Sequence, residues 1–194
     1  MLERALSTTQ RLVLMVQTMY NYAKLGAKAA HMEEVDLDQL LQTMLSDFDI
    51  AREKIINVVL EALPKVWGNR ELLSRVFANL ITNAVKYSDK EEPAIKISLQ
   101  EVIEKPLGRF VVVHLADNGP GIKEESQGEI FNMFRRGEQI SKDGLGVGLA
   151  IVKRIIDLHY GEVRIVKKES YPDCNFAGLN LVLELPTHKV NFAS

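Results

Sequence analysis

Arg75, Asn79, Asn83 and Lys86 fall on one side of a predicted helix at about 100° per residue, while Leu73, Val76, Phe77, Leu80, Ile81 and Ala84 gather on the other. Two carboxamides one turn apart, followed by Lys86 and Tyr87, offer oxygen ligands for a hard cation, an ammonium for phosphate and a ring for a base or ribose. Mg²⁺ is the natural cation, because it takes a few protein oxygens and completes its octahedron with phosphate and water. Taken alone, the same stripe is also what an exposed helix face looks like.

Two further motifs ask for the same ligand. Residues 144–149 read Gly-Leu-Gly-Val-Gly-Leu and run straight into Ala-Ile-Val-Lys-Arg-Ile-Ile, so alternating glycines open onto an amphipathic helix. Glycine permits positive φ and close approach to the main chain, and the first helical turn leaves N–H groups pointing outward, which together suit phosphate oxygens. Upstream, Asp117-Asn118-Gly119-Pro120-Gly121-Ile122 closes an apolar strand. An ionised carboxylate only accepts, so one aimed into a pocket selects a ligand with an amino donor, such as the exocyclic amine of adenine. Gly119 and Gly121 let the chain turn away beneath a purine. Each motif alone is an ordinary turn or helix face; in combination they point to ATP.

The elements that must position these groups are legible around them. Asn69 is a cap for a helix running to about Tyr87, and Asp36 with Gln39 makes a capping pair for an earlier helix that buries Leu41, Met44, Leu45 and Phe48. Residues 55–60 read as a buried strand bounded by Pro64. Residues 94–101 and 109–116 read as neighbouring strands joined by a turn with Pro106 and Gly108. A polar stretch follows to residue 143, then the glycine-led helix to about Tyr160, then strands near 162–168 and 176–185. Strands outnumber helices and several are sequential neighbours, which predicts an α+β fold, a two-layer α/β sandwich, and not a doubly wound parallel sheet.

The amino terminus is set apart. Leu12, Val16, Met19, Ala23, Gly26 and Ala30 recur at spacings of four and three, with Val13, Tyr20 and Ala27 repeating every seven beside them, the pattern of a coiled coil or bundle helix. So wide an apolar surface needs a partner helix, or else the helix packs on its own domain. The division expected is residues 1–34 as this helical segment and 35–194 as the main domain.

Composition closes off other classes. The chain has 194 residues, 46% hydrophobic and 26% charged, with a formal net charge of -2, which is globular and gives no basic footprint for nucleic acid. Cys174 is the only cysteine, which excludes an intrachain disulfide framework or a cysteine-rich metal site and fits a reducing, cytoplasmic setting. The apolar runs are too short to span a bilayer, so no direct membrane contact is expected from this segment. There is no P-loop, and Gly144, Gly146 and Gly148 do not complete the dinucleotide or serine/threonine-kinase glycine patterns.

The three motifs in this order resemble the catalytic and ATP-binding domain of sensor histidine kinases, whose superfamily shares the Bergerat fold. Residues 79–88 match the asparagine box, 117–122 and 144–149 the two glycine boxes, and Phe131 and Phe134 the phenylalanine box; the likeness covers about residues 35–186. The resemblance implies Mg²⁺ on Asn83 assisted by Asn79, phosphate contact by Lys86, and nucleotide lined by Tyr87. It also implies adenine read at Asp117 with Gly119, Gly121 and Ile122 beside it. The backbone of Gly144, Leu145, Gly146, Val147, Gly148 and Leu149 would serve the phosphates. Residues 121–144 would form a lid over ATP. Arg135 and Arg136 in it either close over the γ-phosphate or are simply solvated, and Phe131 and Phe134 either anchor the lid, meet a partner helix, or pack in the core.

Hydrolytic relatives carry a glutamate one turn before the magnesium asparagine. Here that residue is Asn79, an amide with no basic lone pair, which favours phosphoryl transfer to a protein over hydrolysis. By the same resemblance, residues 12–45 look like the second helix of a dimerisation bundle and its connection. The helix that carries the acceptor histidine is not in this sequence, and His31, His114, His159 and His188 lack its context and read as structural, with His159 placed to favour a helix dipole. The implied partners are a phosphoacceptor helix of the same or another subunit, a response regulator, and a second copy in a homodimer of the full-length protein. The second reading is a nucleotide-binding regulatory module, akin to anti-sigma factors or a degenerate kinase, that controls a partner protein. The reading is of a cytoplasmic segment, whether free or the cytoplasmic part of a membrane-anchored sensor.

Overall fold

The computed structural model describes residues 2–29, 31–51, 56–134, 146–167 and 176–190. Helix α1 (Leu2–Lys28) leads into strand β1 (Glu33–Asp36) and helix α2 (Leu37–Ala51). Strands β2 (Asn57–Leu60) and β3 (Lys65–Gly68) precede the long helix α3 (Arg70–Tyr87). The hairpin β4 (Ala94–Lys105) and β5 (Gly108–Asp117) is followed by a short α4 (Glu124–Gln127), then α5 (Gly148–Leu158), β6 (Val163–Ile165) and β7 (Asn180–Pro186).

The main sheet runs β2-β4-β5-β7-β6. It is antiparallel except where β2 lies parallel to β4. Alternate residues of its central strands (Val111, Val113 and Leu115; Leu181, Leu183 and Leu185) share one core with Phe77 and Ile81 of α3 and Ile151 and Ile155 of α5. This is the expected two-layer α+β sandwich. The opposite face of β5 and β7 carries Val112, His114, Asn180, Val182 and Glu184, and these are buried too.

Both predicted caps form. Asn69 Oδ1 accepts from Leu72 N at 2.9 Å, and Asp36 Oδ1 accepts from Gln39 N at 3.0 Å, each satisfying a first-turn donor that the helix leaves open. The apolar face of α3 is buried as its periodicity requires. In α2, Leu41 and Met44 are buried and Leu45 packs partly on the core, while the Phe48 side chain lies outside the described residues.

The structure corrects two expectations and adds a pair of strands that the sequence pattern does not announce. The strand expected to be buried at 55–60 is the four-residue edge strand β2, with Val59 40% exposed, because it has a neighbour on one side only. Residues 33–36 and 65–68 pair as a separate antiparallel ribbon, each burying a single valine, Val35 or Val66. His159 is not a charged helix cap. Its Nδ1–H donates to Ile155 O at 2.7 Å, which leaves Nε2 to accept from Asn69 N at 3.0 Å, so the ring is neutral and ties the end of α5 to the start of α3. Burial pushes its pKa below the usual histidine value, against the pull of the Ile155 hydrogen bond. A Cβ on Gly68 would stand 2.7 Å from this ring.

A pH dependence follows. A folded-state pKa below the unfolded one means that the unfolded chain binds more protons in between, so this contribution is complete above pH ~6.5 and is lost as pH falls below it. His114 is shifted the same way. In denaturant titrations between pH 5 and 7.5, the His159→Gln variant, which can still accept from Asn69, is expected to lose less stability on acidification than the parent. Parallel curves for the two would remove the neutral-ring assignment.

Along α1, Leu12, Val13, Val16, Met19 and Tyr20 are all more than half exposed, so the predicted seam faces solvent over this stretch. At its end, Leu25 is fully buried in the domain's own core and Tyr22 packs partly on it. Ala30 lies outside the described residues. No helix among the described residues is long and apolar enough to cross a membrane.

Candidate nucleotide site

The polar face of α3 meets the start of α5. A Cβ on Gly148, the first residue of α5, would stand 3.3 Å from Asn79 Oδ1 and 3.4 Å from Asn83 Nδ2, with Asn83 Oδ1 at 3.5 Å. Both carboxamides and the second glycine turn therefore share one wall. Asn79 Nδ2 donates to Arg75 O at 2.8 Å, so the outward oxygen is the acceptor. No side chain caps α5 at Val147, which leaves the first-turn N–H groups for a ligand, as an anion cradle needs. Gly146 has φ 67°, and its carbonyl accepts from Phe134 N at 3.0 Å, joining the phenylalanine segment to this turn. Val147 and Leu149 pack partly on the core, as does Phe131, so core packing is the role the structure gives that ring.

The other end of α3 abuts the first glycine turn. A Cβ on Gly119 would lie 3.8 Å from Cα of Ser88, the residue that caps α3, and Gly121 has φ 72°. Lys86 Nζ sits 5.2 Å from the centroid of the Tyr87 ring, so a cation and an aromatic face stand side by side in the two residues before the cap.

Asp117 is the focus of this end. Its Oδ1 accepts from Gly119 N at 2.9 Å and from Leu179 N at 3.0 Å, while its main-chain O accepts from Gly178 N at 2.8 Å. Desolvation pushes the carboxyl pKa up, and the two backbone donors pull it down. Both of these side-chain hydrogen bonds use Oδ1, and neither engages Oδ2.

Sequence reading missed Gly178, whose hypothetical Cβ would stand 2.0 Å from Asp117 Oδ1. It also missed a role for Asn118, whose side chain accepts from Ala94 N at 2.9 Å and donates to Glu92 O at 3.0 Å, stapling the turn to the start of β4. A cleft of about 530 Å³ opens beside the turn, lined by Gly121, Ile122 and Gln127 together with Ile165, Lys167 and Gly178. None of Asn79, Asn83 or Asp117 lines it, so it neighbours the site without forming its floor. Arg135, Arg136, Gly144 and Leu145, and with them the central part of the expected lid, lie outside the described residues.

Among the described residues no cluster of three or more His, Cys, Asp or Glu could hold a metal. The donor set at hand is the pair of carboxamide oxygens, which fits a hard cation that takes its remaining ligands from phosphate and water.

Residues 68–188 match the family described as histidine kinase-, DNA gyrase B-, and HSP90-like ATPase. The chain belongs to this family. Within it, the chain is 32% identical over 159 residues to the cyanobacterial phytochrome B of Nostoc sp., a match covering 80% of this chain and 21% of that protein. To the sensor-like histidine kinase SenX3 of Mycobacterium tuberculosis it is 30% identical over 174 residues, covering 86% of this chain and 41% of that protein. It thus spans from about a fifth to two fifths of the length of these curated relatives. Among solved structures, the mycobacterial sensor histidine kinase MprB superposes with a TM-score of 0.63 at 25% identity, over 82% of this chain and 100% of that one. The nucleotide-free catalytic domain of the histidine kinase ThkA gives 0.63 at 25%, over 81% and 98%. The fold is therefore the Bergerat fold, in the form of the ATP-binding catalytic domain of sensor kinases.

Proposed function

We propose that this chain binds Mg-ATP and transfers its γ-phosphoryl group to a histidine supplied from outside these residues, as the catalytic half of a two-component protein-histidine kinase. The observation that carries this reading is the two-ended layout of α3. Its amides face Gly148, and its cap Ser88, nine residues beyond Asn79, faces the Asp117 turn. Nine residues at about 1.5 Å each span about 13 Å, which matches an extended nucleotide with its base at one end and its phosphates at the other.

In this assignment Asp117 reads the adenine amine, with Gly119, Gly121 and Ile122 against the ring and Tyr87 lining the pocket. Lys86 contacts phosphate, and the N–H groups of the Gly146–Leu149 turn cradle the chain of phosphates. Asn83, assisted by Asn79, would hold Mg²⁺, which when bound would supply neutralisation of phosphate charge. An incoming imidazole nitrogen forms the new N–P bond as the bond from the γ-phosphorus to the bridging oxygen breaks, releasing ADP. Catalysis here is positioning and electrostatics, and nothing at Asn79 can take a proton from water. Residues 1–34 serve as the second helix of a dimerisation bundle and 35–194 as the catalytic domain. The acceptor helix belongs to the same or a partner subunit of a homodimer, and a response regulator takes the phosphoryl group onward.

The test is incubation of the chain with γ-labelled ATP and an acceptor-bearing helical hairpin. Label on histidine is the expected result; tight binding without transfer would favour a regulatory module, and rapid free phosphate an ATPase. Asn83→Ala is expected to weaken nucleotide binding about tenfold with Mg²⁺ and hardly at all with EDTA. Equal parental affinity in both conditions, measured by calorimetry, would remove the metal assignment.

A further inference from the structure

The mechanism leaves two fully enclosed polar side chains unused, and they sit on the far face of the sheet from the proposed nucleotide. His114 is 1% exposed and Asn180 3%. Asn180 pairs with Ala116 in the β5–β7 register and His114 with Val182, so the two share the face opposite the core and are diagonal neighbours, within reach across the strands. His114 Nε2 lies 3.0 Å from Asn180 Oδ1. The other end of the same carboxamide, Nδ2, donates to Gly178 O at 3.2 Å and to Phe176 O at 3.5 Å.

These contacts fix the chemistry. Carbonyl oxygens only accept, so the amide nitrogen must face Gly178, and Asn180 Oδ1 must face the ring and accept. His114 therefore carries its proton on Nε2. Gly178 is the residue whose N–H is held by Asp117 O and whose successor, Leu179, donates to Asp117 Oδ1. The Gly178 peptide is thus gripped on one side by Asp117 and on the other by Asn180. A Cβ on Gly178 would stand 2.0 Å from Asp117 Oδ1, so only a bare Cα fits against the carboxylate.

We propose that His114 and Asn180 are positioning residues that act through the Gly178–Leu179 peptides to hold the Asp117 carboxylate in register with the base. The inference rests on the reading of Asp117 as the adenine-binding group. Neither side chain touches nucleotide in this arrangement. Losing Asn180 removes the bond to the Gly178 carbonyl, and losing His114 removes the contact that orients the Asn180 carboxamide toward it; in both cases the loss falls on base discrimination before it falls on phosphate affinity.

The experiment measures affinities of the full chain for Mg-ATP and for Mg-inosine triphosphate, in which the 6-amino donor is replaced by a carbonyl. His114→Leu and Asn180→Leu are each expected to cut the ATP preference about fivefold while inosine triphosphate affinity stays within about twofold. His114→Gln, which still offers an N–H to Asn180, is expected to keep the parental preference. Equal losses for both nucleotides, or an unchanged ratio in folded leucine variants while Asp117→Ala collapses it, would overturn the relay and leave the Asp117 reading standing. An unchanged ratio in Asp117→Ala as well would overturn both. Should the leucine variants not fold, the ring of the parent decides: a nitrogen-15 spectrum with the His114 proton on Nε2 supports the proposal, and one with it on Nδ1 sinks it.

Discussion

Replacing Asp117 by asparagine is expected to turn the base preference over, from ATP to purines with a 6-carbonyl such as inosine or guanosine triphosphate. One oxygen of the carboxylate is already committed. Oδ1 accepts from the Gly119 and Leu179 N–H groups at 2.9 and 3.0 Å, and an asparagine would keep its single oxygen there, because no nitrogen can accept two main-chain donors. Its Nδ2 is then forced into the place of Oδ2. A donor in that place repels an amino group and welcomes a carbonyl. A hydrogen bond to a charged group contributes about 1.5–3 kcal/mol, and a mismatched donor adds a penalty, so the ratio of the two affinities should swing by about a hundredfold or more. Calorimetric titration with both nucleotides measures it, and an unchanged ratio would mean that Asp117 does not face the base.

The same substitution separates binding from stability. Burial raises the Asp117 carboxyl pKa above the ordinary carboxylate value, so the native state binds the proton more tightly than the unfolded chain does. The group's contribution is then favourable at low pH and is lost as pH rises through the folded value. At pH 7 the neutral asparagine variant is expected to unfold at no lower denaturant concentration than the parent, with the parent gaining on it as pH falls toward 4.

Gly178→Ala is expected to abolish nucleotide binding. The added methyl would stand 2.0 Å from Asp117 Oδ1, 2.6 Å from Gly119 N and 2.7 Å from Asp117 O. Two of these are main-chain atoms that cannot step aside without breaking the Gly119–Asp117 and Gly178–Asp117 hydrogen bonds. Overpacking of this kind costs about 1–3 kcal/mol in stability, and the displaced carboxylate loses the base as well. Affinity for ATP should fall by about a hundredfold or more while far-ultraviolet dichroism keeps its helical signature. Gly128 is the control: a Cβ there meets nothing within 4 Å, and Gly128→Ala should bind like the parent. Parental affinity in Gly178→Ala would show that the turn is looser than the hydrogen bonds imply.

What the sequence made legible follows from range. Helix α3 could be read nearly whole, with its cap, its polar face and all of its buried face but Leu72 and Val85, because 18 residues of one period leave little freedom. The long strands β4 and β5 were legible for the same reason. The β1–β3 ribbon was not, since four residues with one buried valine each carry no periodicity, and their pairing joins segments some thirty residues apart. The proposed roles of Asp117, Asn83 and the second glycine turn rest on local pattern. Gly178 could not be read that way, because its need for a bare Cα is set by Asp117, 61 residues earlier. His159 was misread for a related reason: its position at a helix end suggested a charge, but Asn69 supplies a donor from 90 residues away and settles the tautomer.

The two-ended use of α3 has a consequence for which length changes the chain tolerates. In the proposed assignment, with the metal-binding amides near its middle and the base-reading turn at its cap, the helix would act as a ruler with a fixed phase. Deleting one residue between Asn83 and Ser88 rotates everything beyond the cut by about 100° and points one end away from the nucleotide. Adding a full turn restores the phase but moves the ends apart by about 5.4 Å, which a ligand of fixed length cannot follow. On that assignment insertions are expected only in the loops that bound the helix, and within it the spacing would be as constrained as the residues themselves.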